Sequence, residues 1–244
     1  MFTLNQRNPI SLTFKKMNME RYNIFNLIHK GLRASLYHTA IQLQQTDFSE
    51  QAETEEALNR VREIIMLFEE HAHKEDRFIL PVISQFEPSV AAGFEDEHKK
   101  DEELGSQLQN SIRKTESAHT LLEKLEAGRN LIGSFEAFTL FNLQHMAKEE
   151  DLLNKILWRY YSDDEIKTIS TSIAQSVAPW MQDFYTTWML RGINNKEALD
   201  WIKSIKNGMP SIIFKTVLQK AEAEFSKHRF SKIIQPLNEE MALA

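Results

Sequence analysis

Four stretches of this chain place an apolar residue at every third or fourth position, and each carries one histidine on that stripe. The first reads Tyr22, Phe25, His29, Leu32, Leu36, Thr39, Leu43. The second reads Leu58, Val61, Ile64 with Ile65, Phe68, His71, Glu75, Phe78. The third reads Ala91, Phe94, His98, Asp101, Gly105, Leu108, Ile112. The fourth reads Phe135, Phe138, Asn142, His145, Glu149, Leu152, Ile156. This spacing is the seam of a helix that buries one face against others. Gly 7 and Pro 6 together are about 5% of the 244 residues, against roughly 12% in an average chain. So few turn-formers leave long helices as the expectation.

Punctuation places the helices near 17–45, 50–85, 89–114 and 119–161. Asp47 with Glu50 resembles a capping box before the second, and Pro81 sits near its end. Pro88 and Ser89 open the third. No Gly or Pro marks the join around Lys114–Thr120. At Ser162 and Glu165, another capping-box pair, the pattern shortens, with breaks at Pro179, Gly192, Gly208–Pro210 and Pro236, and a further cap at Asn194 with Glu197. The expected organisation is all-α. An up-down-up-down four-helix bundle spans residues 1–161, and a helical C-terminal extension spans 162–244, packed on the bundle or on a partner.

Several function classes drop out. With no cysteine, a thiolate zinc site, a Cys-ligated iron–sulfur cluster and a Cys nucleophile are excluded. A net charge of −6 argues against general nucleic-acid binding. The N-terminal MFTLNQRNPISLTFKK has no continuous apolar h-region, and no stretch has the length of a membrane span. These features lead to an expected cytoplasmic location. The pairs on the stripes read H-x-x-x-E rather than the E-x-x-H of ferritin-type oxidases, which disfavours that class.

The histidines carry the chemistry. His71 is followed at i+4 by Glu75, and His145 by Glu149, so each pair shares one helix face. A buried ionised carboxylate costs several kcal/mol unless paired or metal-bound, and neighbouring stripe positions offer no Lys or Arg. The gaps between the histidines are 42, 27 and 47 residues. Long, short, long is what an antiparallel bundle needs to bring four sites to one level, here nearer the second-to-third connection. Four imidazoles and two carboxylates suit first-row transition metals: iron first, with manganese or zinc compatible. Asp101 on the third stripe, and Glu102 beside it, are candidate extra ligands or acceptors for a ligand N–H, and Asn142 is a candidate hydrogen-bonder. His73, His38, His119 and His228 read as surface residues, and Glu95–Glu103 outside the stripe as a solvated face. Phe25, Phe68, Phe94 and Phe138 read as core that would also keep the site dry.

On His29 in NLIHKGLR, His71 and Glu75 in EEHAHKEDRFILP, His98 in EDEHKK, and His145 and Glu149 in QHMAKEED, residues 17–161 resemble the hemerythrin-like, or HHE cation-binding, family. The tail segments TISTSIAQSVAP, WMLRGI and MPSIIFKTVL are similar to extensions of some bacterial members. The resemblance implies a non-haem di-iron site. Its members bind dioxygen, sense iron, oxygen or redox state, or help repair iron centres after nitric oxide stress. The chain departs from oxygen carriers in two places. They place a fifth histidine where this chain has Glu102, which moves it toward four-histidine members associated with sensing or repair. They often use a carboxylate at i+5 in the fourth helix, here Glu150, which lies off the stripe; helix geometry favours Glu149. The expected role is a metal-binding sensor or binding protein rather than an enzyme, with a small diatomic ligand and an unidentified redox or protein partner. The competing expectation is a metal-free helical interaction module working through its extension.

Overall fold

The computed structural model describes residues 21–242, and side chains through residue 238. Four helices form the bundle: α1 (Asn26–Gln45), α2 (Gln51–Phe78), α4 (Pro88–Glu116) and α5 (Leu121–Lys148). The short α3 (Leu80–Ser84) follows α2. A π-turn over Glu149–Leu153 and then α6 (Asn154–Tyr160) continue α5. Beyond them lie α7 (Asp163–Ser176), α8 (Pro179–Gly192), α9 (Asn195–Gly208), α10 (Ser211–Glu224) and α11 (Lys227–Ala242). The described residues contain no strand.

The stripes bury as their spacing requires, except that Tyr22 and Phe78 are half-buried and Leu152 is exposed. Several boundaries differ from expectation. The expected helix start at residue 17 lies outside the described residues. Residues 21–25 are not helical, and Asn23 accepts the Phe25 N–H at 3.0 Å just ahead of α1. The second helix divides at Ile79, because Pro81 has no N–H to donate to the carbonyl one turn back. Asp47 does not cap α2. Its carboxylate instead accepts the Ser49 N–H at 2.9 Å and the Ser49 hydroxyl at 2.7 Å. At the α4–α5 join, Thr120 and Glu123 form a reciprocal capping box. That T-x-x-E signal stands in the sequence and marks the join that no Gly or Pro announces. The boxes at Ser162 with Glu165 and Asn194 with Glu197 both form.

Two apolar clusters fill the bundle. One holds Leu32, Leu36, Ile64, Phe68, Leu108, Leu131, Phe135 and their neighbours. The other, toward the α2–α4 connection, holds Phe25, Leu80, Ile83, Ala91, Phe94, Leu153, Ile156 and Leu157. All four histidine positions fall between these clusters along their helices. The C-terminal helices are not a loose appendage. Ile166 of α7 joins the second cluster, and Met181, Tyr185 and Trp188 of α8 join the first. Helix α8 lies against α1 at glycine contacts. A Cβ on Gly31 would stand 2.9 Å from the Met189 nitrogen, and one on Gly192 would collide with the Lys30 carbonyl. The Tyr185 hydroxyl donates to the Leu67 carbonyl at 2.8 Å. Helices α9–α11 build a third, wholly apolar cluster around Ile193, Ala198, Ile202, Val217, Ala221 and Ile233. No helix among the described residues is long and apolar enough to cross a membrane.

Candidate metal centre

His29 from α1, His71 and Glu75 from α2, His98 from α4, and His145 and Glu149 at the end of α5 meet in the layer between the two bundle clusters, all buried. They divide into two groups of four whose ligand atoms lie within 4.8 Å of one another: His29, His71, Glu75, Glu149, and Glu75, His98, His145, Glu149. Both carboxylates belong to both groups, and each turns one oxygen to each. Glu75 Oε1 is 3.2 Å from His71 Nε2 and 3.7 Å from His29 Nε2, while its Oε2 is 3.5 Å from His98 Nε2. Glu149 Oε2 is 3.5 Å from His29 Nε2, while its Oε1 is 3.2 Å from His145 Nε2 and 3.8 Å from His98 Nε2.

The π-turn is part of this geometry. The Asn154 N–H reaches back five residues to the Glu149 carbonyl, so the turn is one residue wider than an α-turn. Past it the buried face resumes at Leu153 instead of the expected Leu152. Glu150, rotated by about 100° from Glu149, faces α1. It accepts from His29 Nδ1 at 3.0 Å and from Arg33 at 2.8 Å. Two consecutive glutamates thus address the two nitrogens of one imidazole.

Carboxylates also stand behind two other rings. Asp76 faces His98 Nδ1 at 2.6 Å, and Glu97 faces His145 Nδ1 at 2.9 Å while accepting from Lys148 at 2.7 Å. An Nδ1–H donated outward leaves the Nε2 lone pair facing the centre, which is the tautomer a metal ligand needs. Sequence reasoning missed both residues. Spacing puts Glu97 on a solvated face, and Asp76 follows Glu75 off the stripe; only the packing of α2, α4 and α5 shows what they touch. Asp101 is buried and accepts from Asn142 at 2.6 Å. The pair lies outside both four-residue groups. Glu102 is exposed and also outside them. His38, His73, His119 and His228 are exposed, as expected.

Opposite charges in this layer shift one another's pKa. Burial opposes charge on His98, but Asp76, Glu149 and Glu75 outweigh it and push its pKa up to about 12. His145, also opposed by burial, is raised to about 9 by Glu149, Glu75 and Glu97. Burial prevails at His71, which falls to about 4. Glu75, despite burial, is held well below the usual carboxylate range by His71, His29 and His98. Glu150 is lowered to about 2 against burial by His29 and Arg33.

The donor set fits a metal. Both oxygens of Glu75 and of Glu149, with Nε2 of His98 and His145, are buried and have no hydrogen-bond partner. Buried polar atoms are rarely left so, and six of them converging on one layer could be satisfied together by cations. Aromatic rings wall the layer. Phe25 lies 5.0 Å from the His29 ring, Phe94 5.7 Å from His145, and Phe141 stacks on His145 at 5.9 Å.

Comparison with known proteins points the same way. The family model "Hemerythrin HHE cation binding domain" matches residues 22–157, more than half of the chain. Curated relatives include F-box/LRR-repeat protein 5 from Xenopus laevis, 24% identical over 224 residues, covering 92% of this chain and 31% of that protein. The mouse protein of that name is 22% identical over 175 residues, covering 72% of this chain and 24% of its own length. The Salmo salar protein is 26% identical over 132 residues, covering 54% and 18%. The chain thus spans less than a third of the length of each of these relatives. No solved structure matches it significantly.

Proposed function

The chain belongs to the hemerythrin HHE cation-binding family, and from that premise we propose that it is a non-haem di-iron protein that binds or senses a small ligand such as dioxygen or nitric oxide. One observation carries this reading: two four-residue groups share Glu75 and Glu149, and all four of those carboxylate oxygens lack a hydrogen-bond partner. A buried carboxylate that meets only imidazole nitrogens, at 3.2–3.8 Å and without a hydrogen bond, remains costly. Cations held by Glu75 and Glu149 would remove that cost.

His29 and His71 would hold one ion and His98 and His145 the other, with Glu75 and Glu149 between them. Iron in these positions supplies a change of redox state and a place for a diatomic ligand. The chain's own residues do the rest. Glu150, Asp76 and Glu97 orient three imidazoles through Nδ1, and the phenylalanine rings exclude bulk water. Glu102 is exposed and lies outside both four-residue groups, which supports a ligand set of four histidines and two glutamates. That set accords with sensing or repair, linked to iron homeostasis or stress, rather than simple oxygen carriage.

Metal analysis of the purified chain tests the proposal. Two irons per chain, held through gel filtration and lost in parallel when Glu75 is changed to Gln, are expected. A chain that comes out metal-free and takes up no iron under anaerobic conditions would leave a helical interaction module acting through residues 162–244 as the better account.

A further inference from the structure

The two halves of the layer share their glutamates but not their surroundings. Behind the His98 and His145 half stand Asp76, which has no cationic partner in hydrogen-bond reach among the described residues, and Glu97, which is shared with Lys148. Buried Asp101 lies on α4 one turn past His98. Behind the His29 and His71 half stands Glu150 alone, neutralised by Arg33 at 2.8 Å. His71 has no carboxylate at Nδ1 among the described residues. The nearest charged pair on its helix, Lys74 with Glu70 at 2.8 Å, is internally neutral. The outward partners of one half therefore carry one net negative charge, and those of the other none.

A carboxylate that accepts from the far side of an imidazole makes the near nitrogen a stronger donor, and removing one such partner weakens metal binding by about 10- to 100-fold. We infer that the two positions are unequal by construction: the His98–His145 half, with Asp76 and Glu97 as positioning residues, takes the first and more tightly held ion, and the His29–His71 half takes the second. This rests on the metal-binding reading above and assigns an order within it.

Titration of the full chain with cobalt(II) alone tests the order, with visible absorption and bound-metal analysis as readouts. The unaltered chain is expected to fill in two resolved steps. Asp76→Asn and Glu97→Gln should each weaken the first step by about 10- to 100-fold and shift its absorption band, leaving the second nearly unchanged. Glu150→Gln should weaken only the second. Asp76 is 45% exposed at its side chain, and its replacement is isosteric. Matched circular dichroism and melting of the cobalt-free variants would confirm that the fold is intact. A band shift is not produced by a merely structural change elsewhere. Two equal equivalents filling in one step, or a first step weakened by Glu150→Gln rather than by Asp76→Asn, would overturn the inference while leaving metal binding in place. No cobalt bound by the unaltered chain would overturn the metal reading, and the order with it.

Discussion

The bundle and the α9–α11 layer are both helical, yet their interiors are opposites. Between its apolar clusters the bundle buries four histidines, two glutamates, Asp101 and Asn142. The α9–α11 interior holds Ala198, Ile202, Ile205, Val217, Ala221, Phe225 and Ile233, with no charged side chain among its buried members. Ordinary hydrophobic burial accounts for the second interior. The first is a compromise in which carboxylate oxygens with no hydrogen-bond partner sit where Leu would be more stable. A polar layer of this kind is kept for what it binds, so the stability of the two regions should answer to different variables.

The largest expected effect separates them by metal. An ion that binds only the folded state, present at a thousandfold excess over its dissociation constant, adds about 4 kcal/mol, or about 8–16 °C of melting temperature in a chain of this size. Glu149→Gln should abolish this rise, because Glu149 serves both groups. Glu150→Gln should retain most of it. Calorimetry of both variants with and without iron decides the matter. If Glu150→Gln loses the metal and Glu149→Gln keeps it, the bridging carboxylate has been misassigned.

A cavity in the other interior should do the converse. Ile202 is completely buried, and Ile202→Ala should cost about 2–5 kcal/mol while leaving metal content unaltered. If metal is lost along with stability, the two regions are energetically one, and the contrast drawn here dissolves.

The smallest effect lies at the junction. Glu197 accepts from Asn26 at 2.9 Å and pairs with Lys30, joining α9 to α1. Burial opposes its ionisation, but Lys30, Asn26 and the Asn194 N–H hold its pKa below the ordinary value. A carboxylate depressed in the folded state stabilises above its unfolded-state pKa, and that contribution is lost as pH falls through the folded value. Glu197→Gln keeps the α9 capping box. The melting-temperature gap between it and the unaltered chain should therefore be full near neutrality and close as pH falls below about 4.5 toward the lowered pKa. The corresponding stability difference should stay under about 1 kcal/mol for a half-buried pair that keeps some solvent contact. A gap that is constant with pH would mean that the ion pair adds nothing across the junction.

Much of this molecule is legible in its sequence, because helical burial repeats locally. His29, His71, His98 and His145 stand on stripes read from spacing alone, and their gaps predict one common level. Glu75 and Glu149 follow from the i+4 rule. That rule depends only on 3.6 residues per turn, which neighbouring helices barely alter. Where a helix departs from that period, local reading fails. The π-turn at Glu149–Leu153 moves the buried position from Leu152 to Leu153, and no residue type there announces it.

Contacts between helices belong to the tertiary structure alone. Asp76 behind His98, Glu97 behind His145 and Glu150 behind His29 all lie off their own stripes, in positions that on an isolated helix face water. Whether such a carboxylate meets solvent or the back of an imidazole depends on the rotation and height of the adjacent helix, set by side-chain packing across the whole bundle. Likewise Gly31 falls inside a helical stretch and Gly192 at a break in the sequence pattern, and only the close approach of α8 to α1 explains why neither carries a side chain. The sequence by itself determined which residues enter the core. Their neighbours there, and with them the inequality of the two halves, were decided by packing, because a one-dimensional period carries no information about the angle between helices.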